Sequence, residues 1–417
     1  KKSKQTHQIL KLADEALCKI PHRGGMSSEG IGDGAGVNID ISVNFYKHLT
    51  GNNKLLYGNF GVANFFYPID ENQKARAEEI IKNTLKKYKL PLILWRDVEV
   101  NPKAVNDASR KAQLPIVQVV FTKPKKVRNQ VDFEFIINDA LKEIEHPAFT
   151  IPELKGFYPL SMSSYTQVYK GRLVSGEVFP YFKDLKNPEH QIHSLLFHTR
   201  FSTNTAPNPI YAQPFRRMAH NGELNTDKKN RLSEDAIAQA NGKTVIFPDG
   251  QSDSSRLDQT LSRRLMEDKL DIVEAVLAMM PPAWENDSKY NGKVRDMLEY
   301  FSLYEEKNDG PAAWIFFDGR KIGARLDRLG LRPLRSIETH DYVAVMSEAG
   351  QINFKPETVL KRGRIPAGEM IVFDHDQGKV LSFDDVLNDL SEKEDYKSLL
   401  KKSVININEL ENKDVKK

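Results

Sequence analysis

The sequence predicts an α+β fold, and three observations carry that prediction. Apolar residues recur at helical spacing in separate segments, the first being Ile9, Ala13, Ala16, Leu17 and Ile20. Short strand-like runs dominate from about residue 154 onward, bounded by turn residues. Asp318-Gly319, between the runs 312–317 and 320–326, signals a two-residue hairpin with a type I′ turn. The chain has 417 residues, which allows two or three domains or one large one. Its hydrophobic content of 40% is enough to bury a sizeable core.

In chain order, the first helix spans about 7–20 and is stopped by Pro21 and Gly24-Gly25. Cys18 falls off its apolar stripe and reads as a helix residue without chemistry. A glycine-rich stretch, 24–36, leads into apolar segments at 39–43 and 57–66. Residues 70–128 read as an α/β insertion, with a helix over 74–88 and strands at 90–95 and 116–121. Helices follow at 255–267 and 272–280, and further strands at 342–346 and 370–373. Residues 1–383 thus read as one domain containing the insertion, and 384–417 as a polar helical C-terminal extension.

Composition excludes several functions. Lys and Arg number 61 against 57 Asp and Glu, a net charge of +4, so no electrostatic binding of nucleic acid is expected. The run Lys123, Lys125, Lys126, Arg128 reads as a solvated loop rather than an anion site. No apolar run approaches the roughly 18 residues of a membrane span, and Lys1-Lys2-Ser3-Lys4-Gln5 has no apolar run after it to make a signal peptide. The one cysteine, Cys18, excludes an intramolecular disulfide, a cysteine-held iron–sulfur cluster and a zinc–cysteine knot. A reducing cytoplasm is the expected compartment.

Chemistry concentrates in three places. The first is the polar stretch 198–205 after the apolar residues Leu195-Leu196-Phe197, followed by the segment 213–226. Within it, Asn221-Gly222 reads either as a hairpin turn or as an oxyanion hole, with a glycine N–H and an adjacent amide as its two donors. Arg200 offers a planar fork for a carboxylate, or a structural salt bridge. The second is Gly250-Gln251-Ser252-Asp253-Ser254-Ser255, where Asp253 or Ser254 caps a helix or Asp253 pairs with a substrate ammonium. The third is His22-Arg23-Gly24-Gly25 with Gly32-Asp33-Gly34-Ala35-Gly36, which has neither Walker nor dinucleotide spacing.

Taken in order, these segments resemble the class II glutamine amidotransferase domain of the glutamate synthase large subunit. The resemblance runs from His7 to about Asp374. Its markers are His22-Arg23-Gly24, Gly32-Asp33-Gly34-Ala35-Gly36, Tyr169-Lys170-Gly171, Arg200 through Thr205, His220-Asn221-Gly222-Glu223 and Ser252-Asp253-Ser254. They continue with Pro282-Ala283-Trp284, Asp309-Gly310-Pro311, Leu326-Asp327-Arg328, Gly330-Leu331-Arg332-Pro333 and Ser347-Glu348. The resemblance implies an N-terminal nucleophile hydrolase-like fold, a four-layer αββα sandwich of two antiparallel sheets. It implies hydrolysis of L-glutamine to L-glutamate and ammonia by an amino-terminal cysteine whose own amine is the base. Asn221 and the Gly222 N–H would form the oxyanion hole. Arg200 would hold the substrate α-carboxylate and Asp253 its α-ammonium, with Thr203 and Arg23 completing the pocket.

Two departures matter. Family members begin with Cys-Gly and an apolar strand, whereas Lys1 stands where that strand has ended. Cys18 lies in the following helix and has no free amine, so it cannot take the role. Either a segment bearing the cysteine precedes Lys1, or the chain is a nucleophile-less module that binds glutamine or glutamate or regulates. The full large subunit also carries a flavin-binding barrel, an iron–sulfur cluster and a C-terminal solenoid, for which this chain has no residues. No cofactor or metal is therefore expected here. FMN and the cluster belong to a partner synthase domain or subunit, where ammonia meets 2-oxoglutarate.

Overall fold

The computed structural model describes residues 4–200 and 207–405. Among them are four sheets, and every strand pair is antiparallel. In the first, β1 (Ala35–Asp40) lies between β6 (Thr166–Gly171) and β7 (Leu195–His198). The second runs β3 (Leu92–Asp97), β4 (Ile116–Thr122), β2 (Phe60–Phe66), β5 (Tyr158–Ser163). The third runs β15 (Lys379–Leu381), β14 (Met370–Asp374), β10 (Lys321–Leu326), β9 (Ala312–Phe317), β8 (Met218–Gly222). A small sheet joins β12 (Val343–Met346), β11 (Arg335–Thr339) and β13 (Val359–Arg364).

Helices cover the outer faces. They are α1 (Gln8–Cys18), α2 (Val43–Thr50), α3 (Glu71–Lys87), α4 (Asp107–Lys111), α5 (Gln130–Thr150), α6 (Val178–Tyr181), α7 (Asp227–Ala240), α8 (Asp253–Met266), α9 (Ile272–Met279), α10 (Gly292–Tyr304), α11 (Phe383–Ser391) and α12 (Tyr396–Ser403). Their ends follow local chemistry. Ser42, Asp70, Asn129 and Ser252 cap α2, α3, α5 and α8 by accepting backbone N–H groups, and Gly51 closes α2 in the left-handed region at φ 66°.

The layering is helix, sheet, sheet, helix. On one outer side, Leu10, Ala13 and Leu17 of α1 share a core with Val37 and Ile39 of β1. The first and third sheets meet through Leu196, Ala219 and Phe317. Beyond the third sheet, Trp314 and Val372 pack on Leu261, Val276, Met297 and Leu387 from α8 to α11. Trp314 is fully buried, and truncating such a side chain costs about 3–5 kcal/mol. The four-layer α+β sandwich is the one the sequence implied.

Three details differ from the sequence reading. The 70–128 segment does not stand apart: β4 pairs with β2 along Phe60–Phe66, and α3 shares its core with α5, a helix absent from the sequence reading. The hairpin turn is not type I′, which needs positive φ at both central residues. Only Gly319 has it, at 91°, while the Asp318 carboxylate accepts the N–H groups of Arg320 and Lys321 at 2.8 and 2.7 Å. Among the described residues from 383 onward, α11 and α12 are helical as expected, but they are part of the core. Phe383, Val386, Leu387, Leu390 and Tyr396 are buried against the helical layer.

Candidate functional site

A cavity of about 560 Å³ opens between the two facing sheets. Arg23, His198, Arg200, Asn221 and Gly222 stand on its wall. Asn221 and Gly222 end strand β8, paired with Ala313 and Ala312, so they do not form a hairpin turn.

Because β8 is the last strand of its sheet among the described residues, one side is paired and the other open. Phe317 N–H donates to the Arg217 carbonyl at 2.7 Å, and Glu223 N–H to that of Pro311 at 2.9 Å. Antiparallel alternation then bonds Ala219 and Asn221 to β9 and turns the N–H groups of His220 and Gly222 to the open side. The Gly222 N–H takes no partner among the described residues. Side chains alternate likewise: Asn221 shares with Ala219 the face toward the opposite sheet, while His220 points to α8.

Glycine is required at 222, since an added Cβ would lie 1.7 Å from the Pro311 carbonyl oxygen. Gly222→Ala is expected to lower stability by about 1–3 kcal/mol or more, read as a fall in the denaturant midpoint. An unchanged midpoint would contradict this packing.

Asp253 is the first residue of α8, and the cap is neither Asp253 nor Ser254 but Ser252, whose hydroxyl accepts Ser255 N–H at 3.1 Å. The Asp253 carboxylate receives Ser254 N–H at 2.6 Å and Leu224 N–H at 2.9 Å. It thereby ties the start of α8 to the segment just past Gly222, and its negative charge suits a helix N-terminus. Ser254, rather than Asp253, reaches the cavity wall.

The Arg23 guanidinium is already engaged. Its Nε and Nη2 donate to one Glu348 oxygen at 3.1 and 2.8 Å, and His22 Nε2 is 2.7 Å from the other. Arg23 holds the Glu348 carboxyl below its usual range. Arg200 is exposed on the cavity wall, with its backbone N–H donated to His198 Nδ1 at 3.1 Å. Thr203 lies outside the described residues. Cys18 does not line the cavity. It is exposed on α1 with its thiol 3.7 Å from Asp14, and burial and that carboxylate push its pKa up.

Burial pulls His190, His198 and His220 down to about 4 from the ordinary 6.5. A depressed histidine pKa means that the neutral form is the one the fold accepts. The stability each contributes is complete above 6.5 and is lost as pH falls through 6.5 toward 4. Each ring loses about 1.4 kcal/mol for every pH step of one across that window, so the urea midpoint should drop steeply there. A flat midpoint between pH 6.5 and 4 would refute the neutral buried histidines.

Among the described residues, no group of three or more His, Cys, Asp or Glu is placed to hold a metal. The structure also brings in residues that sequence reasoning gave no part in the chemistry. His220 Nδ1 is 2.8 Å from Ser254 Oγ, which is 3.2 Å from Asp253. Both residues lie inside marker segments, but their pairing is across the fold and has no local signal.

The family profile of class-II glutamine amidotransferases matches residues 1–399. A ferredoxin-dependent glutamate synthase of Antithamnion sp. is 34% identical over 98% of this chain and 28% of its own length. The glutamate synthase [NADPH] large chain of Bacillus subtilis is 32% identical over 98% of this chain and 27% of its own. Glutamate synthase [NADH] of Saccharomyces cerevisiae is 32% identical over 98% and 20%. The chain thus spans about a quarter of these relatives. With one profile running through Arg23, Arg200, Asn221-Gly222 and Asp253 alike, the chain belongs to the class-II glutamine amidotransferases.

Proposed function

We propose that this domain hydrolyses L-glutamine to L-glutamate and ammonia within a glutamate synthase. The ammonia passes to 2-oxoglutarate on a synthase domain or subunit that carries FMN and an iron–sulfur cluster. One observation supports this above the others: on the wall of a cavity, an edge strand ends in an amide side chain and an outward glycine N–H.

In this reading a cysteine thiolate attacks the glutamine amide carbon, and its own amine delivers the proton to the departing ammonia. The oxyanion forms between Asn221 Nδ2–H and Gly222 N–H, and water then hydrolyses the thioester through a second oxyanion at the same place. Arg200 holds the α-carboxylate and Asp253 the α-ammonium, with Thr203 and Arg23 closing the pocket. Asp253 retains a free lone pair beside the two N–H groups and the Ser254 hydroxyl it accepts. No helix among the described residues is long and apolar enough to cross a membrane. A cytoplasmic setting without nucleic acid is part of the proposal.

The second reading is a module that only binds glutamine or glutamate. The protein starting at Lys1 is expected to show no glutaminase activity, because no acyl-enzyme can form. Hydrolysis abolished by Cys18→Ser would refute that. Intact mass and N-terminal sequencing of the protein from its natural source decide between the readings. A free amino-terminal cysteine together with glutamine hydrolysis supports the enzyme; a start at Lys1 together with glutamate binding supports the module.

A further inference from the structure

We propose that Gln213 is a positioning residue that stands beside β8 where no strand pairs with it among the described residues, and so presents the Gly222 N–H to the cavity. The claim rests on the glutaminase reading only for what that N–H binds.

The open side of β8 would ordinarily pair with another strand or with water. At His220 it does neither. The Gln213 side chain accepts the His220 N–H on Oε1 at 2.7 Å and donates Nε2–H to the His220 carbonyl at 3.0 Å. That is the two-bond exchange a strand residue makes, carried out by one amide. The amide stops there. The next N–H on the same side, two residues along, is that of Gly222. Gln213 therefore fixes the direction of the strand end, blocks pairing by another chain at this edge, and leaves at the wall one donor that has no partner among the described residues.

Gln213 is itself held from the facing sheet. Lys170 of β6, 2% exposed, donates its Nζ to the carbonyls of Ile210 and Ala212, both at 2.7 Å. Asn38 of β1, fully buried, donates to the carbonyls of Phe215 and Arg216 at 3.0 and 2.8 Å. The segment carrying Gln213 is thus pinned on both sides by the first sheet, while its side chain aligns the edge of the third. A packing role alone would not require both ends of the amide to meet a single backbone residue.

Hydrogen exchange and ¹⁵N-glycine spectra of the Lys1–Lys417 protein test this. In the wild type, the His220 amide should be as protected as Ala219 and Asn221, and Gly222 should exchange at least about tenfold faster. Gln213→Met keeps the side-chain length and removes the amide. In the folded variant, His220 exchange should rise about tenfold, while Ala219 and Asn221, bonded to β9, keep their protection. Titration with L-glutamate should shift the Gly222 resonance in wild type and much less in Gln213→Met. Equal protection of Gly222 and His220 in wild type, or unchanged His220 exchange in the variant, overturns the proposal. The wild-type pattern decides even if the variant does not fold. If wild-type Gly222 ignores glutamate while His220 behaves as stated, the glutaminase reading fails and the positioning role stands.

Discussion

Asn221→Ala, in protein bearing an amino-terminal cysteine, is expected to lower kcat about 100- to 1,000-fold, or roughly 2.7–4 kcal/mol, as for loss of one oxyanion donor. KM should change little, because the contact strengthens only as charge develops on the substrate oxygen. The fold predicts that the variant stays intact. Strand β8 is held to β9 by the backbone of residue 221, which the substitution leaves in place, and the Asn221 side chain faces the cavity. Asn221→Asp sharpens the test. It keeps the size of the side chain but replaces a donor by an anion beside the developing oxyanion, so it should be at least as damaging. A side chain needed only to end the strand would tolerate Asp. Normal kcat in Asn221→Asp, or an effect confined to KM, would remove Asn221 from the oxyanion hole.

Local patterning made much of the fold legible, and long-range pairing explains what was not. The stripe of α1, the 74–88 helix and the run Ala312–Phe317 each satisfy a period within their own sequence, and each formed within a few residues of its expected bounds. The missed helix α5 carries such a stripe as well, Phe133, Ile137, Ala140, Leu141 and Ile144, but Pro147 inside it counts against a helix. The Asp318-Gly319 pair sits one residue out of place for a type I′ turn. Asp prefers to accept N–H groups from the two residues beyond a turn, which leaves only the glycine in the left-handed region. At the site, Asn221-Gly222 was visible as a pair of residue types, but the hairpin-turn reading could be excluded only by knowing that it pairs with Ala313 and Ala312. The Arg23–Glu348 contact spans 325 positions, and no local signal announces it.

Arg200→Lys and Asp253→Asn provide the second large effect, measured as calorimetric binding of L-glutamate to the Lys1–Lys417 protein. Glutamate shares with glutamine the two groups assigned to these residues, so no nucleophile is needed. Removing a partner from a charge pair that becomes desolvated in the complex costs about 2–5 kcal/mol, at least about a 30-fold rise in Kd. Lysine should not rescue position 200, because an ammonium cannot reproduce a bidentate fork. Asp253 has a structural duty as well, and the two duties separate. Its two oxygens accept Leu224 N–H and Ser254 N–H, whereas asparagine has one oxygen and must turn its NH₂ toward a donor. Asp253→Asn should therefore melt lower, by about 1 kcal/mol, in addition to binding glutamate more weakly. Arg200→Lys should melt as wild type, since the side chain stands exposed at the cavity. If Asp253→Asn melts lower but binds glutamate as wild type does, Asp253 is a clamp on Leu224 and nothing more. If Arg200→Lys also leaves the affinity unchanged, the cavity is not an amino-acid pocket, and the glutaminase reading loses its substrate.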